Sequence, residues 1–345
     1  MIAVLAPGQG AQSPGMLAPW LELDGVPEQI ATFSELSGLD LARLGTTADA
    51  DEIRDSAVTQ PLIVTMGLIT ASQLGLARMS EDRSEHQRAR TGGIGSEVVL
   101  AGHSVGEVTA AAIAGTLTPA QAIVFATRRG SEMAAACAAA PTSMVAVVGG
   151  DPEEVVAAIL SAGLTAANRN GAGQIVAAGS LEAIAELTEN PPPGSRIRPL
   201  QVAGAFHTSY MSSAERSLRT VAAGLTPADP RQTLLSNADG AVVSDGPTVL
   251  DRLVGQVTRP VRWDLCLDTL RALDVTGAIE LAPAGTLTGI ARRELPGLQL
   301  VAVKTPANLE AAQRLLAEHP APEQDSQAAT SPSGQSVAQS ATGMS

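Results

Sequence analysis

The pentapeptide Gly102-His103-Ser104-Val105-Gly106 limits, more than any other feature, what this chain can fold into. The apolar run Val98-Val99-Leu100-Ala101 before it reads as a buried strand, and residues 107–114 after it read as a helix. A strand that turns into a helix within so few residues needs glycine where the backbone folds back on itself. Such a turn leaves the Ser104 hydroxyl exposed at its tip. The new helix then aims its free N–H groups and positive dipole end at any charge that forms beside that hydroxyl. The pattern predicts an α/β fold and acyl chemistry through a serine ester.

The chain has 345 residues, enough for one large core plus an insert. Aromatics are only 2% of it, so that core must be built from Ala, Val, Leu and Ile. A net charge of −13 argues against nonspecific nucleic-acid binding and leaves an acidic partner only a local basic patch. Cys137 and Cys266 are too few for a disulfide framework, and no Cys-x-x-Cys pair points to a metal site. The N-terminus lacks a basic n-region, and its apolar run breaks at Pro7-Gly8, unlike a signal peptide. Residues 108–127 carry no charge, but Gly115, Pro119 and Gln121 divide them into two buried helices rather than a membrane span. These features describe a cytoplasmic protein with no membrane partner, and nothing in them demands more than a monomer.

Residues 2–6 read as a strand followed by the Gly-rich loop Pro7-Gly8-Gln9-Gly10-Ala11-Gln12. Residues 61–75 and 119–140 read as helices, and the polar stretch 80–96 as a surface loop. Residues 142–206 form a separable unit. Strands at 144–148, 164–168, 174–178 and 197–202, with helices at 152–161 and 181–188, give the β-α-β-β-α-β order of a ferredoxin-like fold. Further strands at 234–236, 277–281 and 300–303 and helices at 245–256 and 263–273 return to α/β patterning. The expected organisation is a large discontinuous α/β domain over 1–141 and 207–315, the small domain over 142–206, and a disordered tail over 316–345.

A serine nucleophile needs a base, and the chain has four histidines. His86 lies in the charged loop, His319 opens the tail, and His103 belongs to the strand end, where it packs or orients the loop. His207 remains, in Gly204-Ala205-Phe206-His207, where the chain returns from the small unit to the large one. Between Ser104 and His207 the sole aspartate is Asp151, inside the small unit, so the pattern predicts a Ser-His dyad with no triad acid.

Taken together and in this order, several motifs over residues 1–315 resemble malonyl-CoA:acyl-carrier-protein transacylases of the actinobacterial kind. They are Gly8-Gln9-Gly10-Ala11-Gln12, Gly102 through Glu107, Arg129-Gly130 with Met133, Ala167-Asn168-Arg169-Asn170-Gly171-Ala172-Gly173-Gln174, Gly204-Ala205-Phe206-His207, and Gly255-Gln256 before Pro260-Val261. The resemblance implies an α/β-hydrolase-like large domain with a parallel-sheet core and an inserted ferredoxin-like domain. It implies that Ser104 is the nucleophile and His207 the base, and that the backbone of Gln9 and Val105 forms the oxyanion hole. It further implies that Arg129 pairs with the malonyl carboxylate and that Gln256 orients the histidine. Phe206 would occupy the space of an α-methyl branch and exclude methylmalonyl units. The partners implied are malonyl-CoA and an acyl carrier protein of fatty-acid or polyketide synthesis, with no cofactor and no metal. The chain departs from the family at Ala282-Pro283-Ala284-Gly285, where Gly-Pro-Gly is common. A serine esterase or thioesterase differs in using water as the final acceptor, and a noncatalytic carrier-binding module would need neither Ser104 nor His207. Arg292-Arg293 with Lys304, and Arg196 with Arg198, are the candidate basic areas for carrier docking.

Overall fold

The computed structural model describes residues 1–77, 98–202 and 204–319. The expected loop at 80–96, with His86, and residues 320–345 of the expected tail lie outside the described residues, whereas Leu316 and Ala317, also expected in the tail, end helix Leu309–Ala317. Ten strands are described: β1 (Ile2–Ala6), β2 (Val98–Gly102), β3 (Thr142–Gly149), β4 (Thr165–Gly171), β5 (Gln174–Ser180), β6 (Ser195–Pro199), β7 (Thr233–Leu234), β8 (Val261–Arg262), β9 (Gly277–Glu280) and β10 (Gln299–Ala302).

The first sheet has the order β10-β9-β1-β2-β7, and all its pairings are parallel. Every residue of β1 and β2 is buried, as expected of strands covered on both faces. Alternation assigns the faces. Ile2, Val4 and Leu100 pack into the cluster that holds helices Ser56–Gln73 and Pro119–Ala139. Ala3, Leu5, Val99 and Ala101 pack against Trp263, Leu267, Leu287 and Ile290. The register pairs Ala6 with Gly102, so the Gly-rich loop and the serine turn leave adjacent strands side by side. Ligands in open parallel sheets bind at this carboxyl edge.

The second sheet contains the expected ferredoxin-like order, β6-β3-β5-β4, all antiparallel. It continues into a fifth strand not anticipated from the sequence: β8 pairs in parallel with β4, Asn168 with Val261 and Arg169 with Arg262. Two residues are too few to show a period. The strand expected at 197–202 ends at Pro199, after which the chain turns Leu200 and Val202 into a cleft.

The helix expected at 61–75 starts earlier, at Ser56, because the Asp55 side chain accepts from Ala57 N at 2.8 Å and caps it. Pro61 lies inside the helix rather than at its first turn. Asp151 is likewise a cap, accepting from the backbone N–H groups of Glu153 and Glu154. The uncharged stretch 108–127 does divide in two, into Gly106–Ile113 and Pro119–Ala139, the latter opened by a Thr118–Gln121 capping box. Helices Val26–Ser37, Leu41–Thr46, Ser212–Ala222, Thr286–Glu294 and Leu309–Ala317 are also present and were not read from the sequence. Among the described residues no helix is long and apolar enough to cross a membrane.

Candidate active site

The strand-to-helix turn is as tight as the pentapeptide demands. A Cβ on Gly102 would collide with the Gly106 carbonyl carbon, and one on Gly106 would collide with Ala6 O. Ser104 itself sits at φ +53°, a strained value for a residue with a side chain. The buried Asn237, just beyond β7, holds it there. Asn237 Oδ1 accepts from Ser104 N at 2.8 Å, and its Nδ2 donates to Gly102 O at 2.8 Å.

His207 reaches the same point from the other side of the cleft, also at positive φ, +61°. Ser104 Oγ lies 2.9 Å from His207 Nε2, and His207 Nδ1 lies 2.8 Å from the main-chain oxygen of Gln256. A carbonyl can only accept, so Nδ1 carries the proton and Nε2 is free to accept from the serine hydroxyl. No carboxylate bonds the imidazole among the described residues. Burial, and secondarily the Arg129 cation, push the His207 pKa down to about 3.

Arg129 is almost fully buried, 1% exposed, on helix Pro119–Ala139. It donates through Nη1 to Gln60 Oε1 at 2.6 Å and through Nη2 to Gln256 Oε1 at 2.9 Å and to Ser104 Oγ at 3.3 Å. Its Nε has no partner among the described residues, and each of these acceptors is neutral. A buried guanidinium with an open donor and no direct anion is suited to a carboxylate ligand. Burial lowers its pKa to about 10, so it stays cationic at neutral pH.

The backbone N–H groups of Gln9 and Val105 have no protein acceptor among the described residues, whereas that of Ser104 is already taken by Asn237. The Gln9 side chain is tied to Ser56 Oγ at 3.2 Å. A cleft of about 270 Å³ runs from these groups between the two sheets. Phe206, Met133, Asn168, Asn170 and Gln174 line it, together with Thr286, Leu287 and Ile290 of helix Thr286–Glu294. His103 packs edge-on to Trp263 and bonds Asn170 Oδ1 through Nε2 at 2.8 Å, orienting the loop rather than facing the serine. Among the described residues no group of three or more His, Cys, Asp or Glu side chains could hold a metal ion.

The acyl transferase domain model matches residues 5–305. The chain belongs to this family. It is 51% identical over 310 residues to the malonyl CoA-acyl carrier protein transacylase of Mycobacterium tuberculosis, covering 90% of this chain and 98% of that one. It is 30% identical to the Escherichia coli protein of the same description over 91% of this chain and 99% of that one. The crystal structure of the M. tuberculosis transacylase superposes with a TM-score of 0.84 at 50% identity, over 91% of this chain and 99% of that one. A malonyl-transacylase solved with its type II PKS acyl-carrier protein superposes at 0.80, with 26% identity over 91% of this chain and 99% of that one. The protein is thus an acyltransferase enzyme with the α/β-hydrolase-like fold and ferredoxin-like insert of these relatives.

The structure brings Ser104, His207, Arg129, Gln9 and Phe206 to one cleft, places Gln256 behind Arg129 and His207, and adds residues that sequence reasoning passed over. Gln60 was missed because Pro61 read as a helix start, which left its neighbour outside the helix. Asn237 carried one usable signal, a polar residue at the carboxyl end of a strand beside β2. Glu107 carried another, a lone carboxylate opening an otherwise uncharged helix. Gln256 meets the histidine with its main chain, while its side chain meets Arg129.

Proposed function

We infer that this protein transfers a malonyl group from malonyl-CoA to the phosphopantetheine thiol of an acyl carrier protein, through a malonyl ester of Ser104, and so supplies malonyl-carrier for fatty-acid synthesis. The observation that carries the reading is the pair of contacts to one hydroxyl. His207 Nε2 lies 2.9 Å from Ser104 Oγ, and the Arg129 guanidinium lies 3.3 Å from it. A hydrolase needs the first contact, and only a dicarboxylate acyl group needs the second.

In the first half-reaction Ser104 Oγ attacks the thioester carbonyl as its proton passes to His207 Nε2. The charge on the carbonyl oxygen develops against the open N–H groups of Gln9 and Val105, at the positive end of helix Gly106–Ile113. The intermediate collapses, the C–S bond breaks, and CoA leaves as the thiol, taking the proton from His207 and returning the imidazole to its neutral form. The carrier thiol then gives its proton to His207 and attacks the ester, and Ser104 recovers the proton as it departs. The Gln256 carbonyl steadies the imidazolium in both halves, where a triad would use a carboxylate. Arg129 binds the free malonyl carboxylate and so turns the reacting carbonyl toward Ser104.

Phe206 is buried beside His207 and lines the cleft, which supports its role against branched acyl units. Helix Thr286–Glu294 lines the cleft at its start and presents exposed Arg292 and Arg293 at its end, and Lys304, also exposed, lies over Gly285. This placement supports docking of an acidic carrier protein at that rim. A cytoplasmic location fits the CoA donor and the two free, buried cysteines.

Intact-mass measurement after mixing with malonyl-CoA, then with phosphopantetheinylated carrier protein, tests the reading. The expected result is a malonyl adduct on Ser104 that moves to the carrier. An adduct on another residue, or one released to water in the presence of carrier, would overturn it.

A further inference from the structure

Glu107 is a buried carboxylate, 5% exposed, that the reaction as written does not use. It sits in the first turn of the helix after Ser104, and its two oxygens serve different parts of the site. Oε1 accepts from the backbone N–H of Asn237, and Oε2 accepts from the side-chain Nε2 of Gln256. Gln256 Nε2 also reaches Asn237 Oδ1 at 3.2 Å, and Gln256 Oε1 accepts from Arg129 at 2.9 Å. One buried ion pair is therefore bridged by a neutral amide: carboxylate, amide nitrogen, amide oxygen, guanidinium.

The direction of that amide is decided by Glu107. Both of its oxygens face donors, which favours the ionised form against the upward push of burial. A carboxylate offers only acceptors, so the amide must turn its NH₂ toward Glu107 and its oxygen toward Arg129. Reversed, it would present donors to a cation. The spacing has a second effect. A carboxylate bonded directly to Arg129 would hold the donors that a malonyl carboxylate needs. Set one amide away, it balances the buried charge and leaves Arg129 Nε open.

We propose that Glu107 is a positioning residue for acyl selection: through Gln256 it fixes the orientation of Arg129 and compensates its charge at one remove, so that the guanidinium stays available to a dicarboxylate acyl group. This rests on the malonyl reading above. The competing role is support of the serine turn alone, through Asn237, which would affect every acyl donor equally.

Single-turnover formation of the Ser104 ester is measured with malonyl-CoA and with acetyl-CoA for the wild type, Glu107→Gln, Arg129→Ala and the double variant. The amide introduced by Glu107→Gln has one acceptor for two facing donors, so the bridge breaks. The malonyl rate is expected to fall about 10- to 100-fold more than the acetyl rate, the scale of a misplaced orienting group. The double variant should be no slower with malonyl-CoA than Arg129→Ala, because both changes act on one pathway. An equal loss with both esters, or additive losses in the double variant, overturns the proposal. Should Glu107→Gln not fold, Gln256→Glu carries the test. It places a carboxylate directly on Arg129 and should erase the preference for malonyl, and a preference kept intact overturns the proposal. A wild type with no malonyl preference would refute the malonyl reading itself, a result distinct from either Glu107 outcome.

Discussion

Replacing Asn237 by alanine removes one fully buried side chain that holds three parts of the site. It accepts from Ser104 N, donates to Gly102 O and accepts from Gln256 Nε2. Gln256 Nε2 keeps Glu107 as an acceptor, so two main-chain groups at the turn lose this partner: the Ser104 N–H and the Gly102 carbonyl. Each buried group left unpaired costs about 1–3 kcal/mol, which gives a destabilisation of about 3 kcal/mol. For a chain of this size that corresponds to a melting temperature lower by about 4 °C. Activity should fall further than stability alone requires. Ser104 is held at φ +53°, a conformation worth roughly 1–3 kcal/mol of strain that persists only while its surroundings enforce it. Once released, the hydroxyl moves off His207, and a displacement of about 1 Å costs on the order of 100-fold in the acylation rate. Calorimetry and single-turnover acylation at a temperature where the variant is folded check the two numbers separately. A melting temperature within about 2 °C of wild type, together with an undiminished acylation rate, would refute the argument that this amide holds the serine turn.

His207→Ala should slow acylation by about two to four orders of magnitude, and because burial holds the His207 pKa at about 3, the wild-type rate should show no inflection near pH 6.5. An inflection there in the acylation profile would show an ordinary, solvated histidine. Stability should also follow this buried histidine. Below about pH 6.5 the unfolded chain binds a His207 proton that the native one refuses down to about pH 3, so stability is lost as the pH falls through that range. Denaturant titrations across pH check the sign. Phe206→Ser should admit methylmalonyl-CoA in competition assays while acetyl-CoA stays excluded; unchanged exclusion of methylmalonyl would remove Phe206 from the selectivity pocket. The double change Arg292→Glu, Arg293→Glu should raise the carrier-protein KM and leave acylation by malonyl-CoA unaltered, and added salt should raise the wild-type carrier KM in the same direction. A carrier KM that does not move would place docking elsewhere.

Local chemistry made the centre of this protein legible in one dimension. The serine turn needs small residues within a five-residue span, and the two buried parallel strands need unbroken apolar runs, so residues 98–106 disclose the elbow with no information from the rest of the chain. The small unit was legible for the same reason, since its strands and helices alternate at lengths that show their periods. Elements too short to carry a period, such as β8, stayed hidden, as did amphipathic helices such as Thr286–Glu294 that contribute only a few residues to the cleft. The polar network around the serine is a different matter. Glu107, Gln256, Asn237, Gln60 and Arg129 come from five separate segments, and each is an ordinary polar residue in its own stretch. Their meaning lies in donor and acceptor directions at distances near 3 Å, and those exist only once helices and sheets have packed. Sequence alone determined that a serine would be presented on a strand-to-helix turn. The tertiary structure decided which carbonyl meets the histidine, which amide holds the serine, and which carboxylate stands behind the arginine, because a hydrogen bond depends on where two atoms lie in space and not on their separation along the chain.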